Sequence, residues 1–113
     1  YMVDRSINYQ RAVRIVLPTG YEFSADFVIA ERKVVQLLSA SSPGYARERS
    51  ARVYQDFSEL RFANDHRERL AIIDDRQSVW SDNLSVALGH QADRILTWSH
   101  RAEIERVLTE AAA

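Results

Sequence analysis

The residues best suited to chemistry in this chain are Asp26, Gln36 and Lys33, which lie within two apolar runs and the charged turn between them. Metal-assisted cleavage of a phosphodiester needs carboxylates to hold Mg²⁺, and a lysine often helps to activate water or to steady negative charge. Asp26 supplies one carboxylate on a predicted strand, whereas Gln36, on the next strand, offers only a neutral oxygen. Lys33 belongs with Glu31 to a charged turn near the predicted hairpin tip. These residues are therefore candidates for an incomplete nuclease-like site, and none is assigned a catalytic role.

A second group of polar residues follows two predicted strands, in the segments RLAIIDD and RILTWSH. Open α/β sheets place functional groups beyond the carboxyl ends of their parallel strands. Asp74, Asp75, Trp98 and His100 occupy these ends, and we expect His100 to lie close to Asp74. The pattern predicts a small-ligand binding site with a pocket at this edge. A simpler interpretation is also open, because an aspartate pair after a strand often starts a turn by hydrogen-bonding its own backbone.

No pattern in the sequence predicts a resident metal ion or an organic cofactor. The chain has no cysteine, and its three histidines, His66, His90 and His100, share no ligand spacing. The glycine motifs GxxxxGKS/T, GxGxxG and GxSxG are absent, and only three glycines are present. Mg²⁺ is expected as a cofactor only if Asp26 belongs to a nuclease site.

The charge balance weighs against a dedicated nucleic-acid binder. The formal net charge is −1 at pH 7, whereas proteins that bind nucleic acid normally carry a basic surface. Arg47, Arg49 and Arg52 could form a local basic patch with nearby tyrosines, but acidic residues alternate with them along a predicted helix. This alternation is more typical of a solvated helix face.

Two-residue alternation predicts three strands in the first part of the chain. In Ala12–Leu17 every second residue is strongly apolar, and the following PTG has the composition of a tight turn. The next strand ends in DFVI and places its odd-numbered residues, from Phe23 to Ile29, on one shared face. The third strand, Val34–Ser39, is apolar on both sides, which predicts a central position covered by two layers.

Helices alternate with short apolar strands in the rest of the chain. A long helix follows, which Ser42 or a neighbouring residue can cap. It presents Val53, Tyr54 and Phe57 on a buried stripe, with Asp56 lying elsewhere. Two short strands and two shorter helices follow. The order β-β-β-α-β-α-β-α predicts an α/β fold with a mixed five-stranded sheet, antiparallel in the opening hairpins and parallel where helices intervene.

Length and composition fit a single α/β domain over residues 1–113. Of the 113 residues, 46% are hydrophobic and 27% charged, which suffices for a substantial core. No apolar run approaches the roughly 20 residues that span a bilayer, so we expect no membrane association. The lack of cysteine suits a reducing cytoplasm. Because Tyr1 precedes Met2, the chain is either a short protein behind one added residue or a C-terminal fragment of a longer protein.

The order of the elements, with an acid in the second strand, resembles the restriction-endonuclease-like fold. The motif of that fold is an acid followed by an acid-x-lysine triplet on the next strand. Asp26 matches the first acid, but Gln36 and Leu38 stand where the second acid and the lysine are required. Glu31 and Lys33 have the acid-x-lysine spacing, but they fall in the predicted turn, too near the hairpin tip to meet Asp26 across the sheet. The resemblance implies a related fold with a degenerate catalytic set.

The segments DFVI, QLLSASSP and LTWSHRAEI are similar to a domain of unknown function at the C-terminus of bacterial and phage proteins. The similarity extends from Gly20 to about Leu108. It implies a bacterial or phage setting and a companion domain upstream, and it carries over no catalytic residue.

These observations favour a non-catalytic α/β interaction module. Its partner would be its own upstream domain, a second copy in a homodimer, or another protein. The alternative function is a divergent metal-dependent nuclease or nucleic-acid-binding domain centred on Asp26. A third possibility is the small-ligand site near Asp74 and His100.

Overall fold

The computed structural model describes residues 9–76, 79–80 and 82–112 of the chain. Over this part of the chain the elements follow the order predicted from the sequence, and the α/β fold class is confirmed. The strands are β1 (Tyr9–Val16), β2 (Glu22–Ile29), β3 (Lys33–Leu38), β4 (Glu68–Ile73) and β5 (Arg94–Thr97), and the helices are α1 (Pro43–Phe62), α2 (Asp82–Gly89) and α3 (Arg101–Ala112).

The strands form a five-stranded mixed sheet in the spatial order β1-β2-β3-β4-β5. β2 pairs antiparallel with both β1 and β3, whereas β4 pairs parallel with both β3 and β5. Antiparallel neighbours need only short turns, while each parallel pair needs a crossover, which α1 and α2 provide. β3 is therefore the central strand, as its apolar character predicted.

Helices cover the two faces of the sheet unequally. On one face, Val34 and Leu38 of β3 share an apolar cluster with Phe57 of α1 and Leu88 of α2. On the other face, Val35 of β3 belongs to a second cluster to which α3 contributes. We call these the two-helix face and the one-helix face. The prediction that β3 lies between two helical layers is confirmed, although the layers differ in width.

β2 departs from the simple alternation expected of it. Ala25 packs on the two-helix face, whereas Phe27 packs on the one-helix face. The change of side occurs at Asp26, opposite Ala12 of β1, whose φ is 50°. A positive φ is uncommon for alanine, and the pairing of β2 with β3 also ends beside this point, at Phe27 and Val35. The prediction of one shared face for the odd-numbered residues of β2 was wrong, because β2 does not continue as one regular ladder through Asp26.

The turn between β2 and β3 ends earlier than predicted. Ala30 and Glu31 have positive φ angles of 52° and 58°, and Arg32 N donates to Ile29 O across the turn at 2.9 Å. Two consecutive residues of positive φ make the tight turn that matches the twist of a hairpin. Lys33, expected in the turn, is instead the first residue of β3.

α1 begins where the sequence predicted but buries a different stripe. Ser42 caps the helix through its hydroxyl oxygen, as expected. Tyr54, expected on the buried stripe, is 38% exposed, whereas Asp56, expected outside it, is 2% exposed. Asp56 stands three residues after Val53 and four before Leu60, so helical geometry places it among the buried side chains.

Candidate functional site

Gln36 is buried where β2 and β3 separate, and its side chain replaces their backbone pairing. The ladder between these strands ends at the pair Phe27 and Val35. Beyond this pair Gln36 Oε1 accepts from Asp26 N at 2.9 Å, and Gln36 Nε2 donates to Ser24 O at 3.2 Å. Gln36 therefore satisfies two backbone groups of β2 that lie past the end of the ladder.

Asp26 acts on β3 in the same way. Its Oδ2 accepts from Leu37 N at 2.7 Å and from Arg49 Nη2 at 2.9 Å. Arg49, on α1, also donates to Leu37 O at 3.1 Å. The structure thus brings Asp26 and Gln36 together, as the nuclease interpretation requires, but both side chains are engaged in holding the two strands.

Lys33 does not join this pair. It is 7% exposed, with Nζ 3.1 Å from Glu68 Oε2 and 3.4 Å from Val107 O of α3, on the one-helix face. Gln36 reaches α1 on the two-helix face, because residues an odd number of positions apart in a strand point to opposite sides. Among the residues that the structure describes, no group of three potential ligands is placed to hold a metal ion.

A buried carboxylate that sequence reasoning missed, Asp56, completes the cluster. Its Oδ1 accepts from Tyr21 Oη at 2.7 Å, and its Oδ2 accepts from Gln36 Nε2 at 3.2 Å. Burial raises the pKa of Asp56, while the Tyr21 hydrogen bond and the charge of Arg49 oppose that rise. Burial and the bond to Asp56 also raise the pKa of Tyr21. Helical spacing within α1 was the one signal in the sequence that pointed to this residue.

At the carboxyl ends of β4 and β5 the structure brings the predicted aspartates next to the start of α3. Asp75 accepts hydrogen bonds from Ser99 N, at 2.9 Å, and from Ser99 Oγ. Asp74 accepts from Arg76 Nε at 2.8 Å and from Arg76 Nη2 at 2.6 Å. The hydrogen bonds from Arg76 lower the pKa of Asp74 to about 2. Both carboxylates are thus engaged in local turn and loop contacts.

His100 and Trp98 lie at the same edge of the sheet. His100 is exposed, and its Nδ1 lies 2.6 Å from Thr97 Oγ1. Trp98 lies close to two guanidinium groups, with the carbon of Arg76 5.6 Å and that of Arg101 4.5 Å from the ring centre. Distances of this size allow cation–π attraction. Trp98 therefore packs against the apolar cluster of the one-helix face and also contacts two positively charged side chains.

An apolar groove lies on the one-helix face between α3 and the antiparallel strands. Its volume is about 360 Å³, in the range of ligand-binding clefts. Leu37, on the central strand, lines it and is 37% exposed. We call this cavity the sheet groove. Its apolar lining comes mainly from Tyr9, Phe27, Val35, Leu37, Trp98 and Ile104.

Two arginines border the sheet groove, Arg11 from β1 and Arg101 from the first turn of α3. Both are exposed, and neither has a carboxylate partner among the residues that the structure describes. Asp74, Asp75 and His100 do not line this groove, so the cavity lies beside the predicted strand-end site and shares only Trp98 with it. The sheet groove therefore combines an apolar floor with a positive rim.

A second, polar groove of about 480 Å³ lies beside Asp26, between the β1–β2 hairpin and α1. Arg14, Arg49 and Arg52 line it together with Glu22 and Asp26. Arg14 pairs with Glu22, and Arg49 pairs with Asp26 at 2.9 Å. Two of the three arginines in this polar groove are therefore paired with carboxylates in the same groove, as the alternating charges of the sequence suggested.

Comparison with protein families, curated proteins and solved structures found no match to this chain. None of the helices in the described part of the chain is long and apolar enough to span a membrane. The function must therefore be inferred from the two grooves and from the contacts of the polar residues between them.

Proposed function

We propose that this chain is a non-catalytic α/β module that binds a protein partner through the sheet groove. The observation that supports this most directly is the 37% exposure of Leu37 on the central strand. Strands joined by helical crossovers are normally covered on both faces. An apolar cavity over such a strand is typical of a surface that another molecule covers.

The width of the sheet explains why one face remains open. Five strands spaced about 4.8 Å apart span about 19 Å, whereas a helix with its side chains is about 10–12 Å across. α1 and α2 together cover the two-helix face, while α3 covers part of the other. A partner that fills the sheet groove would complete this second layer.

The contacts of the polar candidates support a role without catalysis. Asp26 and Gln36 are bonded to the backbone of β3 and β2. Asp74 and Asp75 are bonded to neighbours in the turn after β4 and in the loop before α3. A metal-dependent nuclease instead needs carboxylates that are free to coordinate the cation.

The sequence resemblance suggests which protein to test first as the partner. It implies a companion domain upstream of this chain in a bacterial or phage protein. β1 begins at Tyr9, which lines the sheet groove, so a domain upstream of β1 would be joined to the chain on the side of this groove. A second copy of the chain and an unrelated protein are the other candidates. We place the module in the cytoplasm because the chain has no cysteine.

Site-specific photocrosslinking in the host cell tests this proposal. A photoreactive amino acid replaces Leu37 in the sheet groove or, as a control, Val86 on α2, which is 64% exposed outside the groove. We expect position 37 alone to crosslink one defined protein, which is then purified and titrated against the chain. Its affinity should fall roughly tenfold or more with Leu37→Asp, because a charge is buried unpaired, and should be unchanged with Val86→Asp. Crosslinking equally from both positions, or not at all from position 37, would contradict the proposal.

A divergent nuclease or nucleic-acid-binding domain centred on Asp26 is the second candidate function. The polar groove favours it, since Arg49 and Arg52 lie there beside Asp26. Mg²⁺ would then be the cofactor. Binding through phosphate contacts weakens steeply as salt is raised. Titration of DNA and RNA at two salt concentrations therefore tests this candidate, and binding that is absent or independent of salt would remove it.

A further inference from the structure

We propose that the occupant of the sheet groove is an amphipathic helix with acidic residues along its flanks, lying beside α3. This inference rests on the proposed function and specifies the shape and charge of the partner's binding element. Three properties of the groove support it: its floor, the edge that α3 presents to it, and its charged rim.

The floor of the sheet groove suits large apolar side chains. Tyr9 and Phe27 meet there edge to face, with ring centres 6.0 Å apart. Leu37 is exposed on the neighbouring strand, and Val35 lies on the same face. A helix with apolar residues at intervals of three and four presents a stripe that can cover such a surface.

α3 offers this second helix an edge against which to pack. Arg101, Ile104 and Leu108 follow one another at intervals of three and four residues, and all three line the sheet groove. Such a row forms a ridge, and adjacent helices pack with their axes about 8–10 Å apart. An extended peptide laid over Leu37 would find no free backbone groups to pair with, because Leu37 N is bonded to Asp26 and Leu37 O to Arg49. The geometry therefore favours a helix over a strand.

The rim specifies the charge of that helix. Arg11 stands on the β1 side of the sheet groove and Arg101 on the α3 side. Arg101 lies in the first turn of α3, where the helix dipole disfavours a cation. Its guanidinium nevertheless lies over Trp98, 4.5 Å from the ring centre, at the border of the groove. Carboxylates on both flanks of a docked helix would form charge-assisted hydrogen bonds with these two arginines.

Selection of peptides against the purified full chain tests the inference. The probe is a displayed library of random peptides of about 16 residues, enough for about four helical turns. We expect the enriched peptides to carry apolar residues at positions i, i+3, i+4 and i+7 with Asp or Glu beside them. Their circular dichroism should show helix formation on binding. Affinity should fall roughly tenfold or more with Leu37→Asp and with the double variant Arg11→Glu, Arg101→Glu.

Two variants distinguish binding in the sheet groove from unspecific hydrophobic contact. Val86→Asp alters an apolar side chain on α2 that is 64% exposed, and should leave the peptide affinity unchanged. The double arginine variant alters exposed positions, and the lost contact of Arg101 with Trp98 is offset by the favourable place of an acid in the first turn of α3. Its thermal unfolding should therefore stay close to that of the original chain. Selection against this double variant should enrich helical peptides with basic residues on their flanks in place of acidic ones.

Several results would overturn the inference. Enrichment of extended or basic peptides would assign the groove a different partner chemistry, and affinity unchanged by Leu37→Asp would place the peptide elsewhere. Binding of dodecanoate in the groove without any enriched peptide would make the occupant a small amphiphile. Dimerisation that is lost with Leu37→Asp would make it a second copy of the chain.

The failure of this inference is distinguishable from that of the proposed function. A native partner that crosslinks to position 37 through a segment that is not helical would support the proposed function and contradict the inference that the occupant is a helix. If the selection yields acidic helical peptides but no native protein crosslinks to position 37, the inferred binding chemistry of the groove would be supported and the proposed function would be contradicted.

Discussion

At the scale of single residues, the polar side chains between β2 and β3 act as substitutes for backbone hydrogen bonds. Gln36 bonds to Asp26 N and Ser24 O, and Asp26 accepts from Leu37 N. A buried polar group left without a partner costs roughly 1–3 kcal/mol. Strands that separate inside a protein therefore need such side chains. Asp26 and Gln36, two of the three residues that suggested a nuclease, supply these bonds.

Asp26→Ala is expected to destabilise the chain by roughly 1–2 kcal/mol, because Leu37 N loses its acceptor and Arg49 loses its carboxylate partner. Urea unfolding measures the change. Glu48→Ala removes an exposed carboxylate from α1, the helix that carries Arg49, and should alter stability by no more than about 0.5 kcal/mol. Cleavage of DNA or RNA with Mg²⁺ or Mn²⁺ that disappears in Asp26→Ala would overturn the non-catalytic proposal.

At the scale of elements, a buried hydrogen bond joins the start of β2 to α1. Tyr21 Oη donates to Asp56 Oδ1 at 2.7 Å. Because burial raises the pKa of Asp56 above its ordinary value, the carboxyl group of Asp56 binds a proton more tightly in the native state than in the unfolded chain. The contribution of Asp56 to stability is therefore largest below about pH 4 and falls as the pH rises through its raised pKa. The bond from Tyr21 limits this loss.

Tyr21→Phe is expected to cost roughly 1.5–3 kcal/mol at pH 7, because the lost donor served a charged group. The cost should be smaller at pH 4, because lowering the pH towards the raised pKa of Asp56 increases the protonated fraction of its carboxyl in the native state, and a protonated carboxyl needs the donor less. Urea unfolding at the two pH values checks this difference. Tyr45→Phe, at a side chain that is 58% exposed, should have little effect at either pH. An equal cost at both pH values would show that the protonation state of Asp56 in the native protein does not change between them, which would contradict this prediction.

At the scale of the whole molecule, the chain order explains the unequal covering of the sheet. Right-handed crossovers that advance in one direction along a sheet place their helices on the same face. α1 and α2 join β3 to β4 and β4 to β5, and both lie on the two-helix face. α3 follows the edge strand β5 and packs on the other face. The sheet groove is the part of that face beyond the reach of α3.

An anionic hydrophobic dye, 1-anilino-8-naphthalenesulfonate, is expected to bind the native chain and fluoresce. Its rings match the apolar floor of the sheet groove, and its sulfonate matches the rim formed by Arg11 and Arg101. Leu37→Asp and Arg101→Glu should each weaken the fluorescence several-fold, whereas Val86→Asp should not. Equal fluorescence from all the variants would locate the dye outside the sheet groove.

The sequence by itself determined the elements and their order. The two-residue period marked the strands, the apolar character of Val34–Ser39 marked the central strand, and Ser42 marked the start of α1. Each of these properties depends on residues that are neighbours in the chain, so periodicity and local hydrogen bonding are sufficient to reveal it. Trp98, predicted as part of the strand-end site, lines the sheet groove, but the sequence did not predict that groove.

Only the tertiary structure decided which of these residues are covered and what their polar groups contact. Asp56 is buried because Tyr21 and Gln36, which are distant in the chain, supply its hydrogen bonds. Leu37 alternates like a core residue, yet it is exposed because α3 does not extend over its part of the sheet. Alternation tells which side of a strand a residue faces, but the packing of remote helices decides what lies on that side.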